Sequence, residues 1–232
     1  MLARLKIVTA WLPLAWLVTG VVAAEVQAHG LGFEKWLRDT FFRGYQPAGY
    51  TQQWDIPAAA NPDHGRIPVN PKAAKFGTPI DLGDAVRQFG IDEPFLLIVG
   101  FWEQLTPTEQ RWGNVQAVRV EPAVWKKLWS QVTRADLDRL VAVIKDPALS
   151  LEEARARAQA LKAAAPFNTA VIQLNPKMDR SQRRLQCSLS FKAFFDHLAP
   201  AADRKSQETP QVFGVPVPEQ FASPPREFPA AP

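Results

Sequence analysis

Cysteine is nearly absent from this chain: Cys187 stands alone in 232 residues. That excludes an internal disulfide and a cysteine-based zinc site. A lone thiol neither demands nor forbids an oxidising compartment. Histidine is scarce too, with three residues and no HExxH pattern, which removes the zincin type of metallopeptidase. There is no phosphate-cradling P-loop and no GxSxG nucleophile turn, so nothing points to a P-loop nucleotide hydrolase or an α/β-hydrolase. A strong charge of one sign is missing as well. Lys and Arg number 27 against 23 Asp and Glu, a net charge of +4. This mild excess suits a polyanionic partner without requiring one.

What is present describes a globular protein. Hydrophobic residues make up 47% and charged residues 22%, and the length allows one domain with extensions. The 21 prolines gather toward the end, and the eight tryptophans lie beside polar stretches in several places.

The chemistry concentrates in residues 50–89. Two strand-like runs, Tyr50–Ile56 and Arg66–Lys72, flank Pro57–Gly65, whose Pro, Asn, Asp and Gly predict a turn. The first run carries Asp55 near its end. The second ends in Asn70-Pro71-Lys72. Residues two apart on a strand share a face, so Asn70 and Lys72 project together, beside Asp55 if the two runs pair. An acid able to hold a divalent metal, next to a lysine able to orient water or offset phosphate charge, suits phosphodiester cleavage. The plainer alternative is a turn aspartate and a solvated edge lysine.

These residues resemble the PD-(D/E)XK superfamily of restriction-endonuclease-like nucleases over about residues 30–105. In that family a helix glutamate, a strand aspartate and an acid-x-Lys gather at one sheet edge around Mg²⁺. The matching positions here are Glu34 in GLGFEKWL, Asp55 in WDI, and Asn70 with Lys72. The resemblance implies a catalytic set of Glu34, Asp55 and Lys72. It also implies a Mg²⁺ (or Mn²⁺) site of Asp55, Glu34 and Asn70, and a nucleic acid, DNA before RNA, as partner. Asn70 departs from the family, which carries Asp or Glu there. Its carbonyl can ligate a metal but brings no charge, so a non-catalytic nucleic-acid-binding or interaction protein on the same scaffold stays open. The implied fold is α/β, a mixed central sheet flanked by helices, over residues 29–199.

The rest of the chain supplies that scaffold. Gly30–Phe42 has helical spacing of Phe33, Trp36, Leu37 and Phe41. There Glu34 either serves the metal or pairs with Arg38 at i,i+4. Asp81–Phe89 predicts a short helix with Asp81 as its cap. Phe95–Trp102 is continuously apolar and predicts the central strand. Residues 105–114 read as a loop and Val115–Val120 as a strand. Residues 122–165 read as helices, with Ser150 and Glu153 forming a capping box. Asn168–Leu174 and Leu185–Phe191 read as strands around a polar loop, residues 175–184. That loop repeats the tripeptide Asn-Pro-Lys and concentrates Lys177, Arg180, Arg183 and Arg184, with Gln186 and Ser188 following at period two. Lys177, Arg183, Arg184 and Gln186 suit phosphate and base-edge contacts; an exposed cationic turn is the alternative.

At the ends, residues 1–28 carry Arg4 and Lys6, an apolar run Ile7–Ala24 and small residues through Ala28. That is the pattern of a cleaved signal peptide, implying export. An uncleaved anchor or an over-extended gene start, implying a cytoplasmic protein, are the alternatives. Cleavage after Ala28 would expose His29 as an amine-and-imidazole copper ligand, but only His64 and His197 remain to complete such a site. Residues 200–232 form a Pro-rich tail in which Val212–Val217 and Pro218–Phe221 dock on the core.

Overall fold

The fold is built around Phe95–Trp102, eight consecutive buried residues. A computed structural model describes residues 18–49, 52–106 and 109–219, with side chains from residue 30 onward. The apolar run lies in β3 (Phe95–Gln104), the middle strand of a sheet ordered β1-β3-β4, with β1 at Val69–Lys75 and β4 at Gln110–Val120. Because side chains alternate across a strand, β3 feeds two cores. Phe95, Leu97, Val99 and Phe101 enter the larger one, and Leu96, Ile98 and Trp102 the smaller. A stretch buried on both faces must be apolar throughout, as Phe95–Trp102 is.

The smaller core lies under α1 (Val18–Phe41), which contributes Phe33 and Leu37, both fully buried. Gly100 allows this contact. A Cβ there would sit 2.6 Å from the Trp112 ring and 2.9 Å from that of Phe33. Overpacking of this kind costs about 1–3 kcal/mol.

The larger core is closed by a second sheet and a helical layer. The sheet is ordered β2-β6-β5, with β2 at Ile80–Asp84, β5 at Gln173–Met178 and β6 at Arg183–Leu189. The helices are α2 (Ala85–Phe89), α3 (Pro122–Lys127), α4 (Arg134–Lys145), α5 (Leu151–Ala163) and α6 (Phe191–His197). α4 buries Leu137, Leu140 and Ile144, the three-and-four spacing of an amphipathic helix. Its start is fixed by a Thr133–Asp136 capping box, and that of α5 by the expected Ser150–Glu153 box. The hydroxyl hydrogen bonds hold the Asp136 and Glu153 carboxyls below their usual range. A third sheet pairs β7 (Gln211–Val212) with β8 (Val215–Pro216), and Val212 and Val217 are buried in the smaller core.

The architecture is therefore mixed α/β, as expected, but with three small sheets in place of one central sheet. Several local expectations also shift. Residues 52–55 form no strand, and among the described residues one bridge, Ile56 to Val69, pairs the two runs; Tyr50 and Thr51 lie outside the described residues. In that register the next hydrogen-bonded partner of Trp54 is Pro71, which has no N–H to give, so the ladder stops. β1 begins later than expected because the turn is longer. The fully buried Asn61 donates to the carbonyls of His64 and Ile67 and accepts from the His64 amide. The helix expected to start at Asp81 is instead β2 followed by α2, capped by Asp84, whose carboxylate accepts from the Arg87 amide at 2.8 Å. Ile80 and Leu82 alternate into the core, which decides for a strand. β4 starts at Gln110, not Val115, because β3 continues to Gln104 and pairs Trp102, Glu103 and Gln104 with Trp112, Arg111 and Gln110; the buried Asn114 side chain donates to the carbonyls of Asp203 and Lys205. The loop expected over 175–184 shrinks to a turn held by Asp179, which accepts from Ser181 and Gln182; those bonds hold its carboxyl far below the usual range.

Residues 1–17 of the expected signal segment and residues 220–232 of the tail lie outside the described residues. Among the described residues, no helix is long and apolar enough to cross a membrane.

Candidate active site

Asp55 is held between two anchored neighbours. Trp54 is buried and its indole N–H donates to Glu93 at 2.8 Å, while Ile56 is fully buried and bridged to Val69. The short link between them leaves Asp55 little freedom. On β1, Val69 faces the smaller core, so Asn70 and Lys72 face the other side of the sheet. Lys72 Nζ meets Asp55 Oδ2 at 3.2 Å, with both side chains partly buried. Partial burial weakens solvent screening of this pair relative to an exposed one.

The pair lies on the wall of a cavity of about 410 Å³ between β1, β2, α2 and β6. Asn70, Asp84, Gln88, Arg184 and Gln186 also line it. Asn70 and Gln88 are each only 4% exposed, and the Gln88 side-chain oxygen is buried with no hydrogen-bond partner in the structure. Arg87, at the rim, donates to the Gln52 carbonyl at 3.0 Å. Behind the wall, burial pushes the Cys187 thiol far up, and Asp81 and Asp84 add to the shift. This thiol is protonated and inert as a nucleophile.

The expected residues divide. Asp55, Asn70 and Lys72 meet at the cavity, joined by Arg184 and Gln186. Glu34 is not among the lining residues. It pairs with Arg38 at 3.6 Å on α1, the helix covering the opposite face of the sheet. Arg183 also points elsewhere, because successive strand residues face opposite ways. Its guanidinium donates to the carbonyls of Asp146 and Leu149, fixing the link between α4 and α5. Lys177 pairs across β5 and β6 with Arg184, and Asn175 with Gln186. Cross-strand partners share a face, so Lys177 extends the polar face away from the cavity. It lines a separate groove with Arg155 and Lys162.

Gln88 escaped the sequence-based site; Asp84 and Arg87, three apart, suggest by spacing only a local pair or an Arg87–phosphate contact. A signal existed: Asp84 and Gln88 are four apart at the head of a short helix, directly after a strand.

An oxygen-donor set fits a hard divalent cation, since Mg²⁺ is held by one or two carboxylates with waters and substrate phosphates completing its shell. Among the described residues, no three His, Cys, Asp or Glu side chains gather closely enough to hold a metal ion by themselves. The oxygen-bearing side chains on the wall that could contribute to such a shell are Asp55, Asn70 and Asp84. No protein-family model, curated protein or solved structure matches the chain.

Proposed function

We propose that the protein is a metal-dependent nuclease of the restriction-endonuclease-like kind, acting on DNA before RNA. The observation that carries the reading is the Asp55–Lys72 pair beside buried Asn70 on a polar cavity wall. Two further features support it. β1 is an edge strand of its sheet, as the family's acid-x-Lys strand is expected to lie at a sheet edge. The cavity also continues into a polar strand face bearing Arg184, Gln186 and Lys177.

Each residue has a role that follows from its setting. Asp55 offers a carboxylate oxygen beyond the one it shares with Lys72. Lys72 holds a water by donating to it and offsets charge growing on the phosphate. Asn70 offers a neutral amide oxygen. Arg184 contacts the backbone phosphate and Gln186 the base edge. Bound Mg²⁺ would polarise the phosphoryl oxygens and ease deprotonation of the attacking water. Glu34, paired with Arg38 behind the sheet, has a stabilising role in this arrangement.

The test is incubation of the full chain with single- and double-stranded DNA and RNA in Mg²⁺, in Mn²⁺ and in chelator. Cleavage with either metal that stops in chelator is expected. No cleavage under any condition, from a folded sample, would overturn the reading. The uncharged Asn70 favours a second reading, a nucleic-acid-binding module without catalysis, and retained binding without cleavage selects it.

A further inference from the structure

We infer that the groove between α5 and β5 is a nucleotide site distinct from the Asp55–Lys72 cavity, with a phosphate among Arg155, Lys162 and Lys177 and the base in the pocket beside it. The ligand class follows from the groove's own chemistry and goes beyond the cleavage reading.

Two elements build the site. On α5, Arg155, Gln159 and Lys162 are spaced four and three apart, so one helix face carries all three. On β5, Asn175 and Lys177 are two apart and share a face. The groove between them holds about 500 Å³ and has no acid on its wall. Three cations converge there, and none makes an ion pair among the described residues. In the other cavity, by contrast, Lys72 has Asp55. Arg155 donates to the Met178 carbonyl on the edge strand β5, which fixes the guanidinium and leaves it further N–H donors. Lys162 is half-buried and has no hydrogen-bond or ion-pair partner among the described residues. Burial pulls its ammonium below the usual lysine range. A partly desolvated charge beside other cations is unfavourable, and a phosphate in the groove offsets it with charge-assisted hydrogen bonds.

A second observation, independent of charge, bears on what the phosphate is attached to. A pocket of about 330 Å³ adjoins the groove, and Lys162 and Asn175 line both. Its buried residues are apolar, namely Phe167, Ile172 and Leu174, and the carboxamides of Asn168 and Gln173 are exposed beside them. An apolar surface flanked by carboxamides suits a base, which has a flat face and hydrogen-bonding edges. Lys177 pairs with Arg184 and Asn175 with Gln186 across β5 and β6, so this site borders the polar face that reaches the cavity. The nucleotide is therefore either free or one unit of a strand.

The probes are inorganic phosphate, nucleoside monophosphates carrying each of the common bases, the matching nucleosides, and a short single-stranded DNA. Each is titrated by calorimetry, in chelator, into the full-length wild type and into Lys162→Met, Lys177→Gln and Arg157→Gln. Lys162→Met keeps the aliphatic stem and removes the charge. Arg157→Gln removes the same charge from α5 at a residue that lines neither space. Lys162→Met and Lys177→Gln should each weaken nucleotide binding by about tenfold or more, the scale of one charged hydrogen bond, and lower the salt slope of strand binding by about 0.7. Arg157→Gln should bind as the wild type does. A monophosphate that binds should bind about tenfold or more tighter than its nucleoside. Binding of the strand alone identifies a strand as the source, and equal binding of monophosphate and strand identifies a free nucleotide. Wild-type affinity in both groove variants overturns the site, as does a wild type that binds none of the probes. Inorganic phosphate binding as tightly as every monophosphate and the strand overturns the nucleotide assignment. Cleavage in Mg²⁺ is read separately. Nucleotide binding through Lys162 in a protein that cuts nothing sinks the nuclease reading alone. Cleavage by a protein whose groove variants bind as the wild type does sinks the groove assignment alone.

Discussion

The tripeptide Asn-Pro-Lys occurs twice, at 70–72 on β1 and at 175–177 on β5, and the two copies live in different surroundings. In the first, Asn70 is buried on a cavity wall and Lys72 is ion-paired with Asp55. In the second, Asn175 donates to the Ser188 hydroxyl at 2.8 Å, and Lys177 is exposed in a groove shared with Arg155 and Lys162. Identical side chains at identical spacing thus face an acid and a cavity in one place and other cations in the other. The difference comes from what packs against each strand. β1 lies next to the anchored Trp54–Ile56 link, which delivers a carboxylate. β5 is an edge strand facing α5, which carries Arg155 and Lys162 toward it.

The largest effect should come from removing the acid that distinguishes the first copy. Asp55→Asn is expected to abolish metal-dependent cleavage while thermal unfolding stays cooperative; measurable turnover would detach Asp55 from the chemistry. Next, Lys72→Ala should slow cleavage by about 10²–10³-fold, the scale of losing one preorganised charged donor. Lys177→Ala should leave the rate near wild type and lower the log–log salt slope of DNA binding by about 0.9. Equal rate losses at the two lysines would erase the comparison.

Asn70→Asp and Asn175→Asp sharpen it further. A new carboxylate at the buried position should destabilise the metal-free protein by about 1–3 kcal/mol, and Mn²⁺ should recover that loss in a thermal melt. At position 175 the carboxylate can accept from Ser188 instead, so the change should stay within about 1 kcal/mol, with no Mn²⁺ dependence. A further pair of effects separates two adjacent arginines. Arg183→Ala should lower stability by about 1–3 kcal/mol through two abandoned carbonyls, with an unchanged salt slope. Arg184→Ala should lower the slope by about 0.9 and leave stability alone. A slope change at Arg183 would mean that its guanidinium leaves the α4–α5 link to meet DNA.

The sequence carried the parts of this arrangement that depend on local pattern. The apolar run of β3, the capped α5 and the spacing of Asn70 and Lys72 are all periodicities, and periodicity is local. The one-residue offset between Arg183 and Arg184 was equally visible, but which face meets the core depends on α4 and its carbonyls. Over its described residues, 52–56, the first expected strand fails for a nonlocal reason: Pro71 lies opposite Trp54 only once the Ile56–Val69 bridge sets the register. The place of Asp84 on the cavity wall was hidden because strand and helix divide within IDLGDAVRQF, and burial of Ile80 and Leu82 against β6 decides where. Glu34 illustrates the converse. Its spacing from Arg38 supported the ion pair that forms, and only the packing of Phe33 and Leu37 places that helix behind the sheet.

The smaller core joins the two ends of the described chain, since Val212 and Val217 pack into the cluster that holds Phe33 and Leu37. During synthesis α1 leaves the ribosome well before the valines that complete its burial. At roughly 5–20 residues per second, the apolar stripe of α1 waits on the order of ten seconds or more for them. Through that interval the nascent chain offers Phe33, Trp36, Leu37 and Phe41 to any chaperone that binds exposed aromatic helices.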